Sequence, residues 1–179
     1  HGVYDFFSDY RVSKDSAKGE LGLSGKRVVL FFGMVRPYKG VKNLVKSFPR
    51  VLSEVDGVEL VVAGKFWEGV GDYRELINDF GVSECVTLIN EYVPDERVGL
   101  LFSATDVVVF PYERFESQSG ALTIACSFGK PVVVSNVGGL GDFVIDGVNG
   151  FKVEPGEVDA LSDKVIEVLS SKKIRKKFS

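Results

Sequence analysis

The sequence predicts an α/β fold, an open parallel sheet covered by helices on both sides. Three observations carry this. Short runs rich in Val, Leu and Phe recur along the chain, apolar at consecutive positions as in strands buried on both faces. Between them lie stretches with apolar residues every three or four positions, the helical period. The 179 residues, 45% of them apolar and 26% charged, suffice for one compact domain with a sizeable core.

Residues 1–26 show no sustained period and, with aromatics at Tyr4, Phe6, Phe7 and Tyr10, read as a lead-in draped over a core at 27–170. Arg27 to Phe32 (RVVLFF) is the first strand, ended by Gly33. The loop Gly33 to Gly40 then opens a helix through Val41, Leu44, Val45, Phe48, Val51 and Leu52. Val58 to Ala63 is the second strand, closed by Gly64. From about Asp72 to Phe80 an amphipathic helix turns Tyr73, Leu76, Ile77 and Phe80 inward. Cys85 to Ile89 is the third strand. The turn Tyr92 to Glu96 starts a helix, with Pro94 or Asp95 near its cap and Val98, Leu101 and Phe102 on the buried face.

Asp106 to Phe110 is the fourth strand, stopped by Pro111. Ser117-Gln118-Ser119-Gly120 places small polar residues before a stripe at Ala121, Ile124, Ala125 and Phe128, so strand, polar loop and helix follow one another. Val132 to Val134 is the fifth strand, Val137 to Asp142 a turn into a short helix, and Asp146 to Gly150 a dense turn signal before a short edge strand at Phe151 to Val153. Val158, Leu161, Val165, Ile166, Val168 and Leu169 mark another helix, and Ile174 to Ser179 starts one more.

The composition excludes several function classes. A net charge of −3 gives no sequence-wide basic field, so nucleic acid is not expected as a partner. No run approaches the ~20 apolar residues of a membrane span, and the first 25 residues are too charged for a signal peptide, so the expectation is a cytoplasmic chain. Cys85 and Cys126 lack CxxC spacing and sit among apolar neighbours, where a thiol behaves as a small hydrophobe. The single histidine, His1, stands at the terminus, which removes a His-ligated metal centre and a Ser-His-Asp triad from consideration.

In an open parallel sheet, ligands bind outside the carboxyl ends of the strands at the topological switch point. The loops at 33–40, 64–71, 91–94, 111–120 and 135–141 all follow strands and therefore share one rim. A serine- and glycine-containing loop at a helix start presents backbone N–H groups at the positive end of the dipole, an anion site. Arg36 and Lys39 at another helix start read either as partners of a diphosphate or as solvated surface. The Walker pattern fails, because Gly40 rather than Ser or Thr follows Lys39, and no GxGxxG follows the first strand. Ser117 and Ser119 read equally as helix caps, Gly138-Gly139 as a plain turn, and Lys172 to Lys177 as a solvated helix end rather than a lipid-binding patch.

Taken together, FFGMVRPYKG, VVAGKF, EYVPDERVGLLFSATDVVVFPY, SQSGALTIACSFGKPVVVSNVGGLGDFV and DGVNGFKV resemble the C-terminal half of a family 4 (group 1) glycosyltransferase, over about residues 1–170. The resemblance implies a Rossmann-like sheet of about six strands, one half of the two-domain GT-B architecture. It implies that this half binds a nucleoside-diphosphate sugar, and that a sugar, lipid or polysaccharide acceptor binds a further N-terminal domain. Hexosyl transfer with retention, no metal and no cofactor, is implied for the parent protein, with the single domain at 1–179 inactive alone. A lipid acceptor would bring peripheral contact with the inner face of the membrane.

By the same resemblance Lys39 and Arg36 meet the diphosphate, with Met34 where the family commonly has a second arginine. Gly33, Gly64 and Lys65 line the pocket, and the Tyr92-Val93 backbone meets the base. Ser117, Gln118, Ser119 and Gly120 form the donor loop. Counting back from Gly129-Lys130-Pro131 puts the first carboxylate of the family's paired-glutamate motif at Glu116, with Glu113 the alternative. The second position holds Ile124, so the usual ribose ligand is absent, and Asp142 stands where Glu is usual. Glu116 and Lys39 are the expected catalytic residues. Two rivals stand beside this reading. An epimerase or phosphorylase would be marked by a histidine or a cofactor lysine, and neither is suggested. A degenerate, non-catalytic binding or scaffolding module is motivated by Ile124 and Met34.

Overall fold

A computed structural model describes residues 6–179; His1 and Tyr4 lie outside the described residues. Six strands, β1 (Arg27–Phe32), β2 (Val58–Ala63), β3 (Val86–Ile89), β4 (Val107–Phe110), β5 (Val132–Ser135) and β6 (Phe151–Val153), form one parallel sheet in the order β3-β2-β1-β4-β5-β6. The central strands β2, β4 and β5 are buried at every position, which is why they read as unbroken apolar runs. At the edge, β3 is only partly covered, and its two ends differ in character: Cys85 belongs to a 3₁₀ turn that precedes it.

The helices are α1 (Lys14–Glu20), α2 (Val41–Glu54), α3 (Gly71–Asp79), α4 (Asp95–Ala104), α5 (Gly120–Ser127), α6 (Gly138–Phe143), α7 (Val158–Ser170) and α8 (Lys172–Lys177). Right-handed crossovers running outward from β1 in opposite directions place them on both faces of the sheet. On one face α2 packs along α7, where Ser162 Oγ donates to Ser47 O at 3.0 Å. On the other, α1 packs on α4 and buries Ala17. Among the described residues no helix is long and apolar enough to cross a membrane.

Three expectations are corrected. The lead-in holds a 3₁₀ turn (Phe6–Tyr10) and the α1 helix, whose Ser13 cap accepts from Ser16 N–H. Phe80 is 40% exposed rather than inward, because α3 ends at Asp79 and the chain turns at Gly81. Cys126 is exposed on the outer side of α5, so it is no core hydrophobe, and both thiols are free.

At the N-terminal ends of the strands, Asp106 is buried and accepts from Lys14 Nζ at 2.8 Å, Lys18 Nζ at 2.9 Å and Val28 N–H at 2.8 Å. This carboxylate ties α1 to β1 and β4. The lead-in is thus fastened to the domain.

Candidate functional site

The strand order reverses between β1 and β4, so the loops that follow them diverge and leave a crevice at the carboxyl ends of the strands. Glycine controls how closely the loops approach. A Cβ on Gly64 would lie 1.9 Å from Gly33 O, and one on Gly40 the same distance from Pro111 O. Both glycines have positive φ, so the loops after β1, β2 and β4 touch only because these positions lack a side chain. Glu113 N–H donates to Tyr38 O at 2.7 Å across the crevice, and Gly138 packs on Phe115 O in the same way.

Lys39 ends the short turn before α2. Its ammonium lies 5.4 Å from the centre of the Tyr112 ring and 3.5 Å from the point where Gly33 would carry a Cβ. Desolvation by burial, then the charge of Arg36, pulls its pKa below the ordinary value. Arg36 lies over the Trp67 ring at 4.5 Å, with its Nε–H donating to Met34 Sδ at 3.3 Å. Among the described residues neither cation has a carboxylate within ion-pair distance. Two neighbouring cations thus leave uncompensated positive charge on the rim.

Across the crevice, Ser119 caps α5, its Oγ accepting from Leu122 N–H at 3.2 Å. The capping use of this serine is therefore real. It leaves the N–H groups of Gly120 and Ala121 without intrahelical acceptors at the positive end of the helix. Tyr112 lies buried between the two sides. Burial raises its hydroxyl pKa to about 12 against a hydrogen bond with Ser119, so it stays protonated. Tyr112 is a feature that sequence reasoning missed, hidden behind Pro111.

Between α5 and α6 opens a cleft of about 580 Å³, lined by Glu116, Ser117, Gln118, Ser119, Thr123, Gly138, Gly139, Asp142 and Phe143. A second cavity of about 360 Å³ lies between Tyr38 and residues 114–117. Glu116 and Ser117 line both. Glu113 instead accepts from Asn43 Nδ2 at 3.1 Å, which ties it to α2. Glu116, with Asp142, is thus a carboxylate that lines the cleft. Ile124 is buried beneath α5 and does not reach the cleft, while its neighbour Thr123 does, donating its hydroxyl back to Ser119 O at 3.2 Å.

Lys65, Tyr92 and Val93 stand on the same rim, toward β2 and β3, and line neither cavity. Tyr92 is 83% exposed, whereas the Val93 side chain is buried and offers a ligand only its backbone. Lys65 is exposed, and its carbonyl accepts from Val35 N–H at 2.9 Å. Gly138 and Gly139, which read as a plain turn, form a wall of the larger cleft. Among the described residues no group of three or more His, Cys, Asp or Glu side chains is placed to hold a metal ion.

The chain is 34% identical over 152 residues to an uncharacterized glycosyltransferase, MJ1607, of Methanocaldococcus jannaschii, covering 81% of this chain and 36% of that protein. It is likewise 34% identical over 151 residues to a D-inositol 3-phosphate glycosyltransferase of Rhodococcus erythropolis, covering 79% and 33%. The chain therefore spans about a third of the length of these relatives. In fold it is similar to Anabaena HepE, solved in complex with UDP and glucose, with a TM-score of 0.85 at 24% identity over 96% of this chain and 47% of that one. It is also similar to the C-terminal domain of a group 1 glycosyl transferase, LpcC of Francisella tularensis, with a TM-score of 0.83 at 21% identity, covering 96% and 91%. These likenesses identify the α/β sheet as the Rossmann-like half of a GT-B fold. The family model for glycosyl transferases group 1 matches residues 13–179, and the chain belongs to that family.

Proposed function

We propose that this chain is the donor-binding half of a retaining, metal-independent hexosyl transferase that works in the cytoplasm on a nucleoside-diphosphate sugar. The observation that carries the reading is the meeting at one switch point of unpaired Lys39 and Arg36, the open start of α5, and Glu116 beside a 580 Å³ cleft. A structure of similar fold holds UDP and glucose, which supports a nucleotide sugar as the occupant.

Departure of a nucleoside diphosphate leaves an oxocarbenium-like sugar and a diphosphate of growing negative charge. Lys39, Arg36 and the N–H groups of Ser119 and Gly120 stabilise that charge, each well-placed donor lowering the barrier by roughly 2.7–4 kcal/mol. Glu116 orients the sugar hydroxyls and shields the cationic carbon. Gly33, Gly64 and Lys65 border the diphosphate, the Tyr92-Val93 backbone meets the base, and Ser117 and Gln118 face the sugar. The acceptor, a sugar, lipid or polysaccharide, binds a domain outside this chain. Alone, the chain binds donor without transferring it.

Turnover tests this. In the protein carrying both domains, Glu116→Gln lowers kcat by about 100-fold at unchanged thermal stability, and the product keeps the anomeric configuration of the donor. Unchanged kcat, or an inverted product, would contradict the proposal. Buried Ile124 and the Met34 sulfur engaged by Arg36 favour a second reading, a donor-binding module without turnover. No transfer by the two-domain protein with UDP-, GDP- or ADP-sugars, with nucleotide binding retained, selects it.

A further inference from the structure

The pole of the domain opposite the donor rim carries an apolar and basic surface unrelated to the site. All six strands are parallel, so the turn that enters β6 lies at their N-terminal ends, away from the crevice. That turn is rigidly built. Ile145 N–H donates to Asn149 Oδ1 at 2.7 Å, Asn149 Nδ2 donates to Phe143 O at 3.2 Å, and Gly147 N–H donates to Gly150 O at 2.8 Å.

Its bonding holds two large apolar side chains in water: Ile145 is 61% exposed and Val148 54%. Scattered exposed apolar residues are ordinary, but two on one closed turn beside a basic helix form a patch. The acidic residue within it is engaged, since Asp146 Oδ1 accepts from Lys152 N–H at 2.8 Å.

Helix α8 completes the surface. Lys177 Nζ donates to Gly147 O at 2.8 Å and the Phe178 ring packs on Phe151 at 5.0 Å, so α8 lies directly against the turn. Arg175 is spent on the Val168 and Leu169 carbonyls at the end of α7. Lys172, Lys173, Lys176 and Lys177 remain exposed, a local concentration of positive charge on a chain of net charge −3. The basic run that reads in sequence as a solvated helix end is thus paired in space with exposed hydrophobes.

We propose that this pole docks on an anionic lipid surface, with Ile145 and Val148 entering the headgroup boundary and the α8 lysines meeting lipid phosphates. Apolar side chains flanked by lysines are the combination that holds a protein in a membrane interface. Nucleic acid would use the lysines but leave the apolar pair in water, so a bilayer fits both halves of the patch. The donor crevice then faces away from the bilayer.

Co-sedimentation of this chain with vesicles tests the proposal. The solved C-terminal domain of LpcC, similar in fold and extent, shows that such a unit folds by itself. Binding is expected to phosphatidylglycerol-containing vesicles and not to pure phosphatidylcholine, weakening as salt is raised. Lys172→Gln with Lys176→Gln should weaken it about 25-fold, at about fivefold per lysine near an anionic surface. Ile145→Ser with Val148→Ser should abolish it with the melting temperature unchanged, since both side chains stand in water. Absence of binding to anionic vesicles, equal binding to neutral ones, or binding indifferent to the Ile145 and Val148 changes overturns the proposal.

Discussion

Lys39→Ala weakens binding of a nucleoside diphosphate to this chain by about 10- to 100-fold, while leaving the fold intact. The magnitude follows from one charge-assisted hydrogen bond to phosphate, about 1.5–3 kcal/mol. Lys39 is suited to the role by what it lacks: its ammonium rests on the Tyr112 face with no carboxylate partner, and burial beside Arg36 disfavours its charge in the empty site. An incoming dianion relieves both penalties. Arg36→Ala should cost less, because the guanidinium lies on Trp67 and must leave that ring to reach a ligand. Isothermal titration with UDP, GDP and ADP measures both variants, and equal affinity for wild type and Lys39→Ala would remove Lys39 from the site.

The second large effect lies at the far end of the sheet. Asp106→Ala is expected to destabilise the domain by about 3–5 kcal/mol, the cost of removing one partner from a buried ion pair, or roughly 10 °C in melting temperature. Most of this comes from Lys18, whose side chain is buried; Lys14 is 43% exposed and its share is screened. Val28 N–H also loses its acceptor, while Lys14, Lys18 and Lys130 remain together without a counter-charge. Thermal melts of the variant measure the loss, and an unchanged melting temperature would show the cluster to be ornamental.

The same group sets the acid limit. Burial alone would raise the Asp106 carboxyl, but hydrogen bonds from Lys14, Lys18 and Val28 outweigh it and hold the pKa below its ordinary 3.8. A depressed folded value stabilises above the unfolded one and is lost as pH falls through the folded one. The wild type should therefore lose stability below the ordinary value, and Asp106→Ala should show a flatter acid limb. Lys130 shares this direction with pH but enters as a penalty. Burial, with Lys14 next, lowers it to about 8, so its penalty at neutral pH fades as pH rises through that value.

The strands were legible because a parallel sheet buried on both faces demands unbroken apolar runs, as in VVVF at β4 and VVVS at β5. The shared rim followed from strand-loop-helix alternation alone. Helix α1 was not legible: only Ala17 and Lys18 are buried in it, so no apolar stripe marks it, and its anchor is an ion pair to a residue 88 positions away. Phe80 and Cys126 were misjudged because local period does not tell which side of a helix end meets the core.

Within the site, Lys39, Arg36, Ser119 and Glu116 were visible as residue types beside helix starts. Sequence spacing leaves Glu113 and Glu116 side by side, and it does not show the long-range Asn43 bond that draws Glu113 to α2. The Tyr112–Ser119 pairing and the Gly138 wall likewise depend on loops meeting in space. Ile124 reads differently in the two views. In sequence it is a missing carboxylate; in the fold it is a core residue, and its neighbour Thr123 lines the cleft instead.

The most direct test of donor binding at the switch point is a crystal structure of this chain grown with a nucleoside-diphosphate sugar. The account predicts the diphosphate between the Lys39 ammonium and the N–H groups that open α5, with the sugar beside Glu116 in the 580 Å³ cleft. Phosphates bound elsewhere on the surface, or a crevice left empty at saturating ligand, would contradict it.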